Sequence, residues 1–336
     1  MDSPLISVVI PNKNKGGFLR ETVDSVIGQD YPNWELIVID DHSEDESAAI
    51  LEDISSFDSR ICWHACPKNT TGGSGARNLG IRHAKGEFVL FLDSDDLLGT
   101  GCLSNRLALS AGSDYSFTVF PIGTFHNSPG DSASEWIPQP GSDHLLKFLN
   151  HNLPWHTMSV LWRRSTLEEL QGFDERYERL QDVELHTRAL LMKLPYTVFP
   201  KSAVDSFYRI SDSRWNISHL EMCSRHMRSS ALYTRTILTL TPKSPAGINQ
   251  TIAAKAVQRT LLCAIHRASL LVHSGHATPH QVKILVKNFI CTCEDDSLFT
   301  PWMRYYSRIF AQLSLNGIAR VKGFQRLFLS KLLSCN

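Results

Sequence analysis

Several features that mark other protein classes are missing from this 336-residue sequence. It has no run of ~18 apolar residues, the length that a membrane-spanning helix needs, so we expect none. The first apolar stretch is only about as long as one strand, so we also expect no signal peptide and a cytoplasmic location. Lysine plus arginine equals aspartate plus glutamate, at 34 each, and net charge therefore does not indicate nucleic acid as a partner.

Recognisable cysteine and phosphate-binding patterns are also missing. Cys62 and Cys66 flank His64, but no second pair of ligands follows at zinc spacing, and the eight cysteines are expected to be reduced thiols. The glycine-rich stretch 72–75 lacks the Gly-Lys-Ser/Thr of a Walker loop. No G-x-G-x-x-G follows the first apolar run either, which argues against a dinucleotide-binding fingerprint.

Patterns of strand and helix alternate in the N-terminal part of the chain. Apolar runs predict strands, and residues spaced on one face predict helices, in the order strand 5–10, helix 18–29, strand 34–39, helix 44–54, strand 60–64, helix 74–84 and strand 88–92. Such alternation predicts an α/β fold with a mostly parallel sheet and helices on both faces.

The rest of the chain changes character. Residues 121–143 are rich in Pro, Gly, Ser and Asp and predict a long loop. Helix 144–150, strand 158–163, and helices 165–171 and 182–193 are predicted beyond it. From about residue 216 only helical patterns remain, so we predict an α/β domain at 1–215 and a helical C-terminal extension at 216–336.

Three polar clusters follow predicted strands, at 11–15, 40–43 and 93–96. Ligands of parallel sheets bind beyond the carboxyl ends of the strands, so we expect these clusters to converge. In Asp93-Ser94-Asp95-Asp96, three crowded carboxylates repel one another unless a cation such as Mg²⁺ or Mn²⁺ lies among them. A solvated turn with a helix cap is the alternative.

The other two clusters have chemistry suited to a nucleotide. Asp41 can accept a hydrogen bond from a ribose or a base N–H, although Asp41 or Ser43 can equally cap the next helix. Pro11, Lys13 and Asn14 lie where backbone and amide groups can contact a base, and on their own they also fit a simple turn.

Residues 72–78 (GGSGARN) are rich in glycine and open a predicted helix, as phosphate-binding segments do. Arg77 in this segment can offset donor phosphate charge or pair with a carboxylate structurally.

Five ordered motifs together resemble the family-2 glycosyltransferases, which have the GT-A fold. They are SVVIPNKN (7–14), ELIVIDDHS (35–43), ARNLG (76–80), GEFVLFLDSDD (86–96) and GFDE (172–175). The resemblance covers about residues 4–215 and implies inverting transfer of a sugar from a nucleotide-sugar donor, most commonly a UDP-sugar. The acceptor that it implies is a hydroxyl of a glycan, a lipid-linked sugar or a protein.

The resemblance also implies roles for individual residues. Asp41 matches the residue that contacts the base, and Asp93 and Asp95 match the motif that holds the metal (Mn²⁺ or Mg²⁺) and the diphosphate, with Ser94 between them. Asp182 matches the catalytic base that follows GFDE. Such a base takes a proton from the acceptor hydroxyl, while the metal and cationic groups stabilise the departing diphosphate.

The sequence departs from the family pattern at two positions. Gln181 replaces the usual Glu, which affects the base or the acceptor pocket, and Ser211 stands where the family often has a His that would be a third metal ligand. Trp155 and His156 are candidate acceptor contacts together with Gln181, although a core tryptophan fits Trp155 equally well.

Two other functions compete with transfer. A sugar nucleotidylyltransferase would need a glycine-rich basic loop after the first strand, which residues 11–17 do not supply. A non-catalytic relative that binds sugar nucleotides is permitted by Gln181 but disfavoured by the three retained aspartates.

The C-terminal stretch 300–336 has six basic residues and no acidic residue, interleaved with aromatic and aliphatic residues. This pattern is typical of a helix that contacts an anionic membrane surface, which would place the protein at the inner face of the membrane. A helix packed on its own protein with a solvated basic face is the alternative.

Overall fold

The computed structural model describes residues 3–70, 72–210 and 217–295. The strands in these ranges are β1 (Ile6–Asn12), β2 (Trp34–Asp40), β3 (Ile61–Ala65), β4 (Phe88–Phe91), β5 (Leu97–Leu98), β6 (Phe117–Val119), β7 (Ile122–Phe125), β8 (Glu135–Trp136), β9 (Val160–Arg163), β10 (Tyr196–Val198) and β11 (Ser206–Arg209). The helices are α1 (Gly16–Ile27), α2 (Ser47–Phe57), α3 (Gly72–His83), α4 (Cys102–Ser110), α5 (His144–Leu149), α6 (Arg164–Glu169), α7 (Gln181–Leu191), α8 (His219–Leu240), α9 (Gln250–His273) and α10 (Pro279–Asp295).

A seven-stranded sheet has the order β10-β6-β9-β4-β1-β2-β3. Its central strands β4, β1, β2 and β3 are parallel neighbours, while β9 runs antiparallel to both β4 and β6. The predicted α/β class with a mostly parallel sheet is therefore confirmed. A second, four-stranded sheet has the order β5-β11-β7-β8.

The central strands are buried on both faces, as their continuous apolar runs predict. Val8, Val9 and Ile10 in β1 have no exposed surface. Helix α3 lies close against this strand because Gly80 has no side chain. A Cβ atom at Gly80 would lie 2.2 Å from Cγ1 of Val9. The glycine of the ARNLG motif thus allows the helix to approach the sheet.

The chain divides into two compact units. The first contains both sheets and consists of 1–144, 153–175 and 181–214. The second consists of 145–152, 176–180 and the chain from 215, and its described part is built mainly from α8, α9 and α10. The boundary predicted between 215 and 216 falls among residues outside the described ranges and stays a prediction.

Two local predictions were wrong. The stretch 121–143, predicted as a loop, contains β7 and β8. Helix α2 begins at Ser47 after Glu46, and Ser43 does not cap it. The Oγ atom of Ser43 instead accepts a hydrogen bond from the backbone N of Asn14, at 2.8 Å. The hydroxyl thus holds the loop after β1.

None of the helices in the described ranges is long and apolar enough to cross a membrane. The basic stretch 300–336 lies outside these ranges, so its predicted membrane contact stays a prediction.

Candidate active site

The loops that follow β1, β2 and β4 meet at one edge of the large sheet. Strand register places Asn12 opposite Asp40, and the backbone N of Asp41 donates to the carbonyl of Asn12 at 2.8 Å. On the other side of β1, the N of Leu92 donates to the carbonyl of Val9 at 3.0 Å. The sheet therefore carries the three polar clusters on neighbouring strands, as the sequence predicts.

Asp41 is a buried carboxylate with one oxygen available. Its Oδ2 atom accepts from the backbone N of Gly72 at 2.9 Å and is 3.3 Å from Nζ of Lys13. Its Oδ1 atom is buried and has no hydrogen-bond partner within the part of the chain that the structure describes. A buried acceptor of this kind is costly unless a donor reaches it, so Oδ1 is suited to a ligand N–H.

The loop after β1 is built around Asn14, which adopts the left-handed backbone conformation at φ 52°. Oδ1 of Asn14 accepts from the backbone N of Glu44 at 2.7 Å, so this side chain ties the loops after β1 and β2 together. Pro11 lies within β1, opposite Ile39, rather than beyond the strand. Lys13 is about half exposed and is the more accessible member of its ion pair with Asp41.

The three carboxylates of the Asp93–Asp96 turn have different partners. Oδ1 of Asp93 is 2.6 Å from Nη2 of Arg77, and Oδ2 of Asp95 is 2.9 Å from Nζ of Lys15. Asp96 is fully buried and accepts from the backbone N of Arg209 at 2.9 Å. Asp93 and Asp95 thus pair with basic side chains, while Asp96 binds the backbone of β11.

Arg209 holds this turn in place and was not predicted as a site residue. Its Nε donates to the backbone carbonyl of Asp95 at 2.8 Å, and its Nη2 is 2.5 Å from Oε2 of Glu21. The guanidinium also lies over the rings of Phe18 and Phe125, 4.9 and 4.3 Å from their centres. Arg209 lies two positions before Ser211 in the sequence, where only Ser211 was considered.

A divalent metal fits the chemistry of the Asp93 and Asp95 side chains. No group of three or more His, Cys, Asp or Glu side chains suited to a metal lies within 3–70, 72–210 and 217–295. Mg²⁺ and Mn²⁺ favour oxygen ligands, and Mg²⁺ is commonly held by one or two carboxylates plus substrate phosphates and water. Ser211, at the position of the family's third ligand, lies outside the described residues.

The GFDE motif is held by Asn78 of the ARNLG motif. The Asn78 amide accepts from the backbone N of Phe173 at 2.8 Å and donates to the carbonyl of the same residue at 2.8 Å. It also donates to Oε1 of Glu175 at 2.9 Å. Gly172 has φ 67°, and a Cβ there would lie 2.3 Å from Oδ1 of Asn78, so this position requires glycine.

The first turn of α7 carries Gln181 and Asp182. Oε1 of Gln181 accepts from Nη1 of Arg77 at 3.1 Å, and the same guanidinium binds Asp93. Arg77 therefore connects the acidic turn to the start of α7. Asp182 follows directly in that turn and is partly exposed.

His186 lies one turn further along α7 and is buried. The pKa of this imidazole is lowered to about 4, chiefly by burial; Asp182 opposes the change, and the nearby His156 acts in the same sense as burial. His186 is consequently neutral near pH 7. Its ring is stacked parallel to that of Trp162, with centres 5.7 Å apart.

The two candidate acceptor residues just before the predicted strand 158–163 differ in exposure. Trp155 has no exposed surface and packs among aromatic rings that include Phe117 and Tyr196. The structure thus corrects the acceptor hypothesis for Trp155: the ring is a core residue and has no face for a sugar. His156 is partly exposed, and its ring meets that of Tyr208 edge-on at 5.1 Å.

Comparison with known proteins identifies the class. The sequence model of a family described as "Glycosyl transferase family 2" matches residues 7–169. The chain is 30% identical over 222 residues to the putative teichuronic acid biosynthesis glycosyltransferase TuaG of Bacillus subtilis, covering 63% of this chain and 83% of that protein. Four other curated glycosyltransferases match over less than half of their own length.

Solved structures show the same fold. Staphylococcus aureus TarS 1–349, in complex with UDP-GlcNAc, has a TM-score of 0.63 at 18% identity, over 96% of this chain and 91% of that one. The mannosyltransferase PcManGT from Pyrobaculum calidifontis was solved in complex with GDP-Man and Mn²⁺. It has a TM-score of 0.53 at 17% identity, over 94% of this chain and 86% of that one.

The α/β fold of this chain is of the GT-A type. The chain belongs to glycosyl transferase family 2 and is an enzyme of that class.

Proposed function

We propose that this enzyme transfers a sugar from a UDP-sugar to a hydroxyl of a glycan or lipid-linked acceptor, with inversion at the anomeric carbon. The observation that carries the proposal is the link through Arg77, which binds Asp93 of the acidic turn and Gln181 beside Asp182. This link connects the donor-binding turn to the carboxylate proposed as the base.

Asp41 is proposed to recognise the nucleotide base. Its buried Oδ1, which has no partner among the residues that the structure describes, is suited to accept the ring N–H of uracil, and Lys13 and Gly72 hold the other oxygen. A uridine donor is further supported by TarS, which was solved with UDP-GlcNAc. A charged acceptor strengthens such a hydrogen bond relative to a neutral one.

Asp93 and Asp95 would hold Mn²⁺ or Mg²⁺ together with the diphosphate. When bound, the metal would neutralise the charge that develops on the leaving diphosphate. Arg77 and Lys15, which pair with the two carboxylates, supply further positive charge at the same turn. Arg209 keeps the backbone of Asp95 in place through its Nε.

Asp182 is proposed to act as the general base. The acceptor hydroxyl loses its proton to the Asp182 carboxylate as its oxygen bonds to the anomeric carbon. The bond from that carbon to the diphosphate breaks on the opposite face, and the nucleoside diphosphate departs. His156, partly exposed beside Tyr208, and Gln181 remain candidates for contacting the acceptor.

A donor screen tests the proposal. Purified protein with Mn²⁺ or Mg²⁺ is incubated with each common nucleotide sugar, and release of the nucleoside diphosphate is measured. We expect metal-dependent hydrolysis of one UDP-sugar, lost in Asp95→Asn and retained in Asp53→Asn. The second variant is a matched control because Asp53 forms an exposed ion pair with Arg20.

Two results would contradict the proposal. Release of pyrophosphate from a sugar phosphate and UTP would indicate nucleotidylyl transfer. Metal-dependent UDP binding with no turnover of any donor, even with candidate acceptors present, would favour a non-catalytic relative.

A further inference from the structure

Three aromatic side chains of the first unit form a row of rings that is partly open to solvent. They are Trp136 of β8, His156, and Tyr208 of β11, here called the aromatic row. The His156 ring lies between the other two, with its centre 5.9 Å from that of Trp136 and 5.1 Å from that of Tyr208. The two outer rings are thus connected through the imidazole.

The small sheet places Trp136 and Tyr208 on the same face. Tyr208 is paired with Thr124 in the neighbouring strand β7, and Trp136 is paired with Ile122, two positions earlier in β7. Because side chains alternate along a strand, residues two positions apart and their cross-strand partners share one face. Both rings pack against the hydrophobic core and keep part of their surface exposed. Strand register therefore fixes where the outer rings lie.

Hydrogen bonds fix the orientation of two of the rings. Nε1 of Trp136 donates to the backbone carbonyl of Leu153 at 3.0 Å. Nδ1 of His156 accepts from the backbone N of Met158 at 3.3 Å, and the backbone N of His156 donates to Oγ of Ser159 at 3.3 Å. Because the only polar group of the indole is used internally, the exposed part of Trp136 offers carbon surface alone. That surface is suited to stacking.

One end of the row adjoins the acidic turn. Tyr208 directly precedes Arg209 in β11. The backbone N of Arg209 donates to Oδ1 of Asp96 at 2.9 Å, and its Nε donates to the backbone carbonyl of Asp95 at 2.8 Å. Tyr208 is thus one residue away from the side chain that holds the turn.

The middle of the row adjoins the first turn of α7. His156 directly follows Trp155, whose ring meets that of His186 edge-on with centres 5.8 Å apart. His186 lies one turn along α7 from Asp182. The pKa of His186, lowered chiefly by burial, also responds to Asp182 and to His156, because both lie near this ring. The row therefore lies beside the carboxylate proposed as the base as well as beside the acidic turn.

A row of aromatic rings is chemically matched to a cyclic sugar. A pyranose presents a face of C–H groups, while its hydroxyl groups project from the edge of the ring. An aromatic ring can cover the C–H face and leave the hydroxyl groups free to react. A serine or threonine side chain and an open-chain polyol present no such face. Aromatic side chains combined with a few polar groups are also typical of small-molecule sites.

We propose that the aromatic row is the acceptor site and that a pyranose ring of the acceptor stacks on Trp136. The acceptor is accordingly a glycan or a lipid-linked glycan that presents a cyclic sugar, rather than a protein side chain or an open-chain polyol. His156 and Tyr208 complete the site and orient the sugar so that one hydroxyl reaches Asp182. This inference rests on the transfer function proposed above, but sugar binding is measurable without transfer.

Sugar binding to the full chain tests the proposal directly. Protein labelled with 5-fluorotryptophan is titrated with the methyl glycosides of glucose, galactose, N-acetylglucosamine and N-acetylgalactosamine, in the presence of UDP and Mn²⁺. Fluorine nuclear magnetic resonance follows the Trp136 signal, which is identified by its absence from W136F. Sorbitol, an open-chain polyol, is the control ligand. We expect at least one glycoside to shift the Trp136 signal to saturation and sorbitol to leave it unchanged.

Three variants separate stacking from packing. W136L keeps an apolar side chain against the core but lacks an aromatic face, and W136F retains such a face. W63L is the matched control, because Trp63 of β3 is also a partly exposed tryptophan packed on the same core. We expect KM for the glycoside to rise at least ~10-fold in W136L, at most ~3-fold in W136F and less than about twofold in W63L. Hydrolysis of the donor by water should stay within about twofold of wild type in all three.

The proposal is overturned if no methyl glycoside shifts the Trp136 signal, or if sorbitol shifts it equally. It is also overturned if W136L and W63L have the same KM for the glycoside. Should circular dichroism show that W136L does not fold, the fluorine titration of wild type decides. Saturable binding of a glycoside at Trp136, without hydrolysis or transfer of any donor, would contradict the transfer function and still support a sugar site at the aromatic row.

Discussion

The two units differ in how completely the N–H groups of their arginines are paired. In the first unit, Arg106 has no exposed surface, and its Nε and Nη2 both bind the Asp205 carboxylate. Its Nη1 donates to the carbonyl of Met158 at 2.7 Å. In the helical unit, Arg259 leaves its buried Nε without a partner in the described chain. Full internal pairing explains how Arg106 can be completely buried, whereas Arg259 is only partly buried and can reach solvent.

The comparison separates the unit that carries the acidic turn from the helical unit. Arg77, Lys15 and Arg209 each contact the acidic turn of the first unit. Changes at these residues should impair transfer.

Replacing Asp182 with Asn should cause the largest loss. The amide cannot take the acceptor proton, so we expect kcat to fall by about 10²–10⁴. Metal-dependent UDP binding should be unchanged, because Asp182 is not assigned to the donor. Steady-state kinetics and calorimetry measure the two quantities. Equal losses in kcat and in UDP affinity would show that Asp182 acts on the donor instead.

Replacing Arg209 with Met tests whether an internally satisfied arginine positions the acidic turn. The variant loses the hydrogen bond to the Asp95 carbonyl and the ion pair with Glu21. We expect Mn²⁺ affinity to fall about 10–100-fold, as it does when groups supporting metal ligands are removed. Arg20→Met, at an exposed ion pair, is the control. Unchanged Mn²⁺ affinity with a lowered melting temperature would show that Arg209 stabilises the fold but does not support metal binding.

Asp41→Asn should weaken UDP binding by about tenfold, since a charged acceptor becomes neutral. Affinity for manganese pyrophosphate, which has no base, should stay the same. If the affinities for UDP and for manganese pyrophosphate fall equally, Asp41 does not recognise the base.

The stability of the protein in acid should depend on His226 of the helical unit. The pKa of His226 is lowered from 6.5 to about 3 in the folded chain, so only the unfolded chain binds this proton between those values. Stability therefore falls as the pH drops from about 6.5 toward 3. His226→Gln should reduce this pH dependence by up to one proton. Denaturant unfolding across that range measures it, and an unchanged slope would contradict the buried, neutral state.

Much of the sheet was predictable because its strands are marked by short, local patterns in the sequence. The strands β1, β2 and β4 are continuous apolar runs, and each ends at a polar cluster. Parallel neighbours then bring Asn12 and Asp40 into register, so the common edge follows from the pattern alone.

The parts that the sequence did not predict depend on distant partners. Strand β7 pairs with β11, which lies some eighty residues further along the chain, and β8 has only two residues. Ser43 was predicted as a helix cap, but its hydroxyl is used by the loop after β1. Arg209 was missed for the same reason, since its contacts at Asp95 and Glu21 are both remote in sequence.

The positions of the site residues are observed, but their functional roles remain predictions. The structure places Asp41, Asp93 and Asp95 at the expected edge, and connects Asp93 to Gln181 through Arg77. Trp155 is the exception, because its burial among aromatic rings removes it from any sugar.

The central claim is that the acidic turn holds the donor diphosphate through a metal. Calorimetry of UDP binding with and without Mn²⁺, in wild type and in Asp95→Asn, tests it most directly. The account predicts that Mn²⁺ strengthens UDP binding at least ~10-fold in wild type and has no effect in the variant. Equal UDP affinity with and without Mn²⁺ in wild type, or the same Mn²⁺ effect in both proteins, would contradict it.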